Sequence, residues 1–364
     1  MRKALYILGI HLVLCCSTVG AQERNIYFYE VSPKFGKVIP SPRSDGVILN
    51  EALMGGVVGF GVQTTGRSYW EEFFNYPKYG LRLGYTDYFD DIFGKGLSLH
   101  LFMQGAFFRT NKFSFDYSLG LGFGGHTKRY HLEKNPHNDY ISTYLTACID
   151  LSLVVEYRIA SNTGVFLGGN FSHFSNGATS MPNLGINGLS VFGGVRYYDR
   201  KNDFRDFRKE IEKPRFLKNE IYTFVSPSFM SYRRHGNKSF FGSTFELGYR
   251  RQFHPCMKWG AGVDVFYAGY EKYEIDESIR SNWDNLSQAV FGSFELLFGD
   301  MSLHVALGVC TYYSAKPKGI IYERAGIYYN FGKNFKQFAG ASIKAYAGVA
   351  DYIEWTYGFK IKSF

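Results

Sequence analysis

The feature that most constrains the fold is an alternation of apolar and polar residues that recurs along the whole chain. In Leu97–Gly105 the odd positions are apolar and the even positions mostly polar, and Ser243–Arg250, Met257–Val265 and Met301–Val309 repeat the pattern. Successive side chains of a β-strand point to opposite faces, so each stretch predicts a strand with one apolar face. Each also has about the 9–11 residues that a tilted strand needs to cross a bilayer.

The aromatic content indicates where such strands would lie. The chain has 29 Tyr, 35 Phe and 41 Gly residues, and after its first residues no stretch is apolar for the roughly 18 residues that a spanning helix needs. A transmembrane barrel uses many aromatic side chains in girdles at both membrane interfaces, whereas a soluble core does not need them. We therefore predict an all-β fold, a transmembrane antiparallel β-barrel of the bacterial outer membrane with about 16 strands, within a range of roughly 12–16.

Residues 1–21 have the pattern of a cleavable secretory signal peptide. Arg2 and Lys3 precede the apolar segment Leu5–Cys16, and small residues at Val19–Ala21 suit a cleavage position. Removal of the two basic residues lowers the formal net charge from +9 to +7. Attraction to an anionic membrane surface accounts for this mild basicity, and export makes nucleic acid an unexpected partner.

Residues 22–364 are expected to form a single barrel, with a charged connection at 199–219 between a first half, 22–198, and additional strands in 220–364. We interpret this connection as a solvated spacer in preference to a short surface helix. It could also separate two smaller barrels. One closed sheet removes all strand edges more simply, so the single barrel is the preferred arrangement.

The connections between the predicted strands sort by length if both termini are periplasmic. Short turns would lie at the periplasmic end, near Asn111, Ala160, Pro255 and Asp300. Longer polar connections would lie outside, at Lys34–Asn50, His126–Asn138, Asn176–Ile186 and Glu271–Asn285. This asymmetry is typical of outer-membrane barrels, although Gly66–Lys78 and the 199–219 connection are long for periplasmic turns.

The candidate chemistry lies at the end of one predicted strand, where His173 and Ser175 are two residues apart. Their side chains share one face, with Cα atoms roughly 6.5 Å apart, so an imidazole and a hydroxyl are within hydrogen-bonding reach. A neighbouring histidine base is the usual means of making a serine hydroxyl nucleophilic.

The shared face of these two residues is the apolar one, which also carries Val165 and Leu167 and is expected to point to lipid. Asn187 lies on the apolar face of the returning strand. Polar groups in such positions are costly and usually functional. Catalytic groups that face outward from a barrel imply a lipid substrate.

The stretch 171–198 resembles the outer-membrane lipid A 3-O-deacylases of the PagL type, which are acyloxyacyl-hydrolase-type β-barrels. Their hairpin reads His-x-Ser-Asn, a short spacer, Pro-Asn-x-Gly and then Ile-Glu. The matching residues of this chain are His173, Ser175, Asn176, Pro182, Asn183, Gly185 and Ile186.

The resemblance implies a serine esterase that removes an ester-linked acyl chain from lipid A or lipopolysaccharide, without a metal or an organic cofactor. Ser175 would be the nucleophile and His173 the general base. Asn176 would lie at the oxyanion site or support the loop, with donors near Asn176 and Gly177 facing the oxyanion. Asn187 stands where the family has an acidic residue.

An amide at position 187 can orient the imidazole but cannot stabilise the imidazolium by charge. Three interpretations remain: a working Ser-His-Asn site, a carboxylate supplied from elsewhere, and an inactive relative.

Two other classes of function compete with the esterase. One is a passive porin or transporter, which inward-facing Glu246, Arg250 and Asp264 would suit. The other is a structural barrel whose site has decayed. The alternating strand Trp355–Phe364 ends on an aromatic residue and resembles the signal that barrel-assembly machinery uses. The sequence leaves self-association as a homo-oligomer open.

Overall fold

The computed structural model describes residues 25–44, 50–207, 209–231, 238–274, 281–313, 319–332 and 336–364. The predicted signal peptide at 1–21 lies outside these residues, as do parts of the predicted outer connections Lys34–Asn50 and Glu271–Asn285. Within the described ranges the chain forms sixteen strands and a few short helices.

The first eight strands form one closed antiparallel barrel. They are β1 (Ile26–Ile39), β2 (Ala52–Gln63), β3 (Lys78–Asp87), β4 (Lys95–Arg109), β5 (Phe113–His126), β6 (Leu145–Ala160), β7 (Thr163–Ser175) and β8 (Ile186–Tyr198). The sheet closes where β1 pairs with β8, with Val31 opposite Val195.

The last eight strands form a second closed barrel. They are β9 (Asn219–Ser231), β10 (Ser239–His254), β11 (Met257–Ala268), β12 (Leu286–Phe298), β13 (Met301–Tyr313), β14 (Ile321–Phe331), β15 (Gln337–Tyr346) and β16 (Val349–Ser363). Its closing pair is β16 with β9, where Tyr357 lies opposite Val225.

The described helices are the α-helix α1 (Tyr69–Phe73) and the 3₁₀ helices η1 (Phe204–Asp206), η2 (Glu271–Glu274) and η3 (Asn282–Asn285). None of these is long and apolar enough to span a membrane.

The predicted antiparallel transmembrane barrel fold and the strand number are confirmed, but the prediction of a single barrel is wrong. Hydrogen bonds close β8 onto β1 before the chain reaches β9. Each set of eight strands therefore closes on itself, and neither barrel has an unpaired edge strand. Alternation specifies the faces of a strand and carries no information about which distant strand closes the sheet.

The exterior of each barrel is apolar, as β4 illustrates. Leu97, Leu99 and Leu101 are 57%, 50% and 65% exposed, whereas Ser98 and His100 on the other face are buried. An exposed band of large apolar side chains around a closed sheet matches the hydrocarbon core of a membrane.

The interior of the first barrel is filled by paired charges. The Arg196 guanidinium contacts the carboxylates of Glu30 and Glu156. Lys78 Nζ lies 2.9 Å from Asp116 and 3.0 Å from Glu156. Buried charges are tolerated where each has a partner of opposite sign, and in an eight-stranded barrel such side chains fill the space inside.

The second barrel is filled in the same way. Arg324 lies 2.7 Å from Glu246 and 3.0 Å from Asp264, and Arg250 lies 2.8 Å from Glu295. Glu246, Arg250 and Asp264 are the three residues that the sequence offered for a channel. All three are ion-paired inside the barrel. This packing argues against the wide aqueous lumen that a passive porin requires.

The connections 199–219 and Gly66–Lys78, which are long for periplasmic turns, pack against the barrels. In the 199–219 connection, the ring centroids of Phe204 and Phe207 lie 5.6 and 5.3 Å from that of Tyr76. Phe207 is buried in a cluster at the end of the first barrel. The preferred interpretation of this connection as a solvated spacer is wrong for its first part, because the aromatic side chains there cover apolar surface, whereas residues 212–215 and 217–218 are exposed.

The Gly66–Lys78 connection contains α1, which packs against the second barrel. Tyr69 Oη lies 3.3 Å from His254 Nε2, and the rings of Phe73 and His254 are 4.5 Å apart. Phe74 packs on Phe298 with ring centroids 4.4 Å apart. The two barrels are thus in contact at the short-turn end.

Candidate active site

The hairpin β7–β8 brings His173 and Asn187 together at the end of the first barrel that carries the long loops. The two residues are direct cross-strand partners, and His173 Nδ1 lies 2.7 Å from Asn187 Oδ1. A carbonyl oxygen can only accept a hydrogen bond, so Nδ1 carries a hydrogen, and in the neutral imidazole Nε2 then presents its lone pair. A neutral imidazole in this tautomer is able to act as a base.

The strand directions agree with the face assignment from the sequence. Val165 and Leu167 are exposed on the outer surface of β7, and His173 and Asn187 are half-buried on the same outward face. Ser175 departs from this pattern because it is only 6% exposed. It ends β7, where the following loop, residues 176–185, folds over it.

Ser175 Oγ accepts two hydrogen bonds from this loop. Gly177 N donates at 3.1 Å and Asn183 Nδ2 donates at 2.9 Å. The two acceptor positions of the hydroxyl are therefore taken, and its own hydrogen remains to be donated. In the described part of the chain no hydrogen bond joins Ser175 to His173, although the two side chains end the same face of β7. Contacts of this kind between a base and a nucleophile often form only in the complex with substrate.

Asn183 joins Ser175 to the following loop, a contact that the sequence did not predict. Its Nδ2 donates to Ser175, and its Oδ1 accepts from Asn176 N at 3.1 Å. Both ends of one amide thus connect the serine to the loop that follows it. The signal in the sequence was its position in the Pro-Asn-x-Gly segment.

Asn176 supports the loop. Its Nδ2 donates to Ser142 Oγ at 3.1 Å and to Ser180 O at 2.9 Å. Both amide hydrogens are therefore engaged within the first barrel. Of the two expectations for Asn176, the geometry favours loop support over an oxyanion donor.

Two glycines have conformational reasons to be in this loop. Gly177 has φ +61° and Gly185 has φ +78°, in the left-handed region that favours glycine. A Cβ atom at Gly185 would lie 2.6 Å from His173 Cε1. Glycine at this position therefore leaves room for the imidazole ring.

Taken together, these groups form an oriented base beside a hydroxyl that already receives two hydrogen bonds. Donors to a serine oxygen hold it in position and stabilise negative charge that forms on it. The arrangement is suited to nucleophilic attack on an acyl carbonyl. It lies on a barrel exterior that carries large apolar side chains.

Two family models match the chain. The model described as lipid A 3-O-deacylase (PagL) matches residues 56–196, and the model described as acyloxyacyl hydrolase, C-terminal domain, matches residues 218–363. The first match contains β7 and nearly all of β8, and the second contains all eight strands of the second barrel. Among curated proteins, none matches this chain.

Solved structures of outer-membrane barrels are distantly similar. Neisserial surface protein A is 11% identical with a TM-score of 0.32, over 47% of this chain and 96% of that one. The Pseudomonas putida toluene transporter TodX is 10% identical with a TM-score of 0.19, over 93% and 90% of the two chains.

Proposed function

The chain belongs to the lipid A 3-O-deacylase family of the PagL type, outer-membrane β-barrel hydrolases of ester bonds in lipid A, and on this premise we propose that Ser175, His173 and Asn187 form its catalytic site. The observation that carries the proposal is the 2.7 Å hydrogen bond between His173 and Asn187 on the outward face beside Ser175. A site on the apolar exterior meets its substrate in the membrane, so the acyl chain can stay in an apolar environment.

In the proposed reaction, His173 Nε2 removes the hydroxyl proton of Ser175 as Oγ attacks the ester carbonyl. A bond forms between Oγ and the carbonyl carbon, and the tetrahedral intermediate expels the sugar oxygen. That oxygen leaves as a hydroxyl with the proton that His173 carried. Water, activated by the same imidazole, then hydrolyses the acyl-serine and releases the fatty acid.

Asn187 and the loop donors supply orientation and electrostatic stabilisation. Asn187 Oδ1 holds the imidazole in the tautomer that leaves Nε2 free. Gly177 N and Asn183 Nδ2 already point at the attacking oxygen. We propose that, as Oγ bonds to the carbonyl carbon, these donors turn to the adjacent carbonyl oxygen and stabilise the negative charge that develops there. The mechanism uses neither a metal nor an organic cofactor.

The first test is mass spectrometry of lipid A from cells with and without the protein. Deacylation lowers the mass of lipid A by one ester-linked acyl chain. Ion conductance with intact lipid A would instead support the porin alternative. A folded barrel with neither activity would support the decayed structural barrel.

For Asn187, we expect the variant Asn187→Glu to keep or raise activity. Glutamate can accept the same hydrogen bond from His173 and also stabilise the imidazolium, which is worth about 1–3 kcal/mol for a charge-assisted bond. Asn187→Leu offers no acceptor and should be at least about tenfold slower, as expected for the loss of one such bond. Initial rates of fatty-acid release from lipid A measure both. A native rate in the leucine variant would remove Asn187 from the mechanism.

For Asn183, we expect the variant Asn183→Ala to lower turnover about 10²-fold, comparable to the loss of one oxyanion-stabilising donor. The matched variant Asn183→Asp keeps an acceptor for Asn176 N but cannot donate to Ser175. It should be as slow as the alanine variant if the bond to Ser175 is the one that matters. Fast hydrolysis by Asn183→Asp with slow hydrolysis by Asn183→Ala would show that Asn183 acts only by holding the loop.

A further inference from the structure

The loop that covers Ser175 is contacted by the second barrel as well as by the first. Ser231, the last residue of β9, donates from its backbone N to Ala178 O at 2.8 Å. Its side-chain Oγ donates to Thr179 O at 2.6 Å. The end of a strand of the second barrel is therefore hydrogen-bonded to two successive carbonyls of the loop.

A second contact reaches Gly177, the residue whose backbone N–H donates to Ser175. A Cβ atom at Gly177 would lie 2.4 Å from Ile353 Cγ1 and 2.5 Å from its Cδ1. Ile353 lies in β16, which pairs with β9 to close the second barrel. Ser231 and Ile353 thus belong to the same pair of strands, and both contact the loop within two residues of each other.

The conformation of the loop explains why it needs an external support. Gly177 and Ala178 have φ values of +61° and +62°, so two successive residues lie in the left-handed region. For an L-residue such as alanine this conformation is strained and persists only where the surroundings impose it. The hydrogen bond from Ser231 N is made to the carbonyl of this alanine. Gly177 and Ala178 are both buried.

We propose that the second barrel is a positioning element for the active site of the first. Through Ser231 and Ile353, the β9–β16 pair holds the loop so that Gly177 N and Asn183 Nδ2 point at Ser175 Oγ. The packing of α1 on His254 at the opposite end keeps the second barrel in place. This inference rests on the proposed function, and it gives the second barrel a role in the reaction that acts through the loop.

The first experiment compares kcat and KM of full-length variants on lipid A in detergent or vesicles. Ile353→Ala and Ser231→Ala are expected to lower kcat about tenfold with little change in KM, because small displacements of reacting groups cost up to about 10²-fold in rate. Ile361→Ala is the matched control for Ile353, since it lies on the same strand and face but far from the loop. Ser239→Ala is the control for Ser231, since Ser239 is its cross-strand partner. Both controls should retain the native kcat.

The second experiment tests for rescue, with kcat measured per folded barrel by heat-modifiable migration so that a change in stability is counted separately. Gly177→Ala places a Cβ against Ile353 and is expected to be slow. Adding Ile353→Ala relieves the side-chain clash but not the backbone strain at φ +61°, so the double variant should recover part of the rate that Gly177→Ala loses. Adding Ile361→Ala should leave Gly177→Ala as slow as before.

Native kcat in Ile353→Ala and Ser231→Ala, or no rescue of Gly177→Ala, would overturn the positioning role. A Ser175→Ala variant measured in parallel separates this failure from failure of the proposed function. If Ser175→Ala is inactive, only the role of the second barrel is wrong. If Ser175→Ala hydrolyses lipid A at the native rate, the catalytic site itself is wrong and the inference falls with it.

Discussion

Replacement of Ser175 by alanine is expected to reduce deacylation by at least about 10³-fold, because the reaction loses the oxygen that attacks the ester. The barrel should still fold. Ser175 is a small residue at the end of β7, and the change removes one oxygen and leaves the strand pairing intact. Gly177 N and Asn183 Nδ2 lose their acceptor, which affects the loop more than the sheet.

The measurement is the rate of fatty-acid release, together with heat-modifiable migration in electrophoresis as evidence of a folded barrel. Ser172→Ala is the matched control. Ser172 lies on the same strand, but its side chain faces the barrel interior. We expect this control to be active. Native turnover in Ser175→Ala would exclude Ser175 as the nucleophile.

Replacement of His173 by alanine is expected to be as damaging as the loss of Ser175. The imidazole removes the proton from the serine hydroxyl and returns it to the leaving sugar oxygen, so base and nucleophile act in one step. Residues that act as a unit show strongly non-additive losses. The double variant Ser175→Ala/His173→Ala should therefore have about the same residual rate as either single variant.

The control for this prediction is His137→Ala, which removes an exposed histidine from a neighbouring outer loop. It should hydrolyse lipid A at the native rate. A double variant that is slower than both single variants by the product of their losses would show that the two residues contribute to separate steps.

Much of the fold followed from local pattern. Alternation along each strand identified the membrane-crossing segments, and the positions of the short turns followed from where it stops. The face of His173 and Asn187 was also predictable, because side-chain direction along a strand has a period of two residues. Their contact across the hairpin required only that β7 and β8 be joined by a loop and paired in register.

The sequence by itself determined the strands, their inner and outer faces and the hairpin that carries the candidate site, because all of these depend on neighbouring residues. Only the tertiary structure decided that β8 closes onto β1, which makes two barrels instead of one. It alone placed Asn183 on Ser175 Oγ, since a loop conformation depends on contacts from several elements. Ser231 and Ile353 reach the same loop from strands distant in the chain. No local pattern records such contacts, because they arise from the packing of one closed sheet against another.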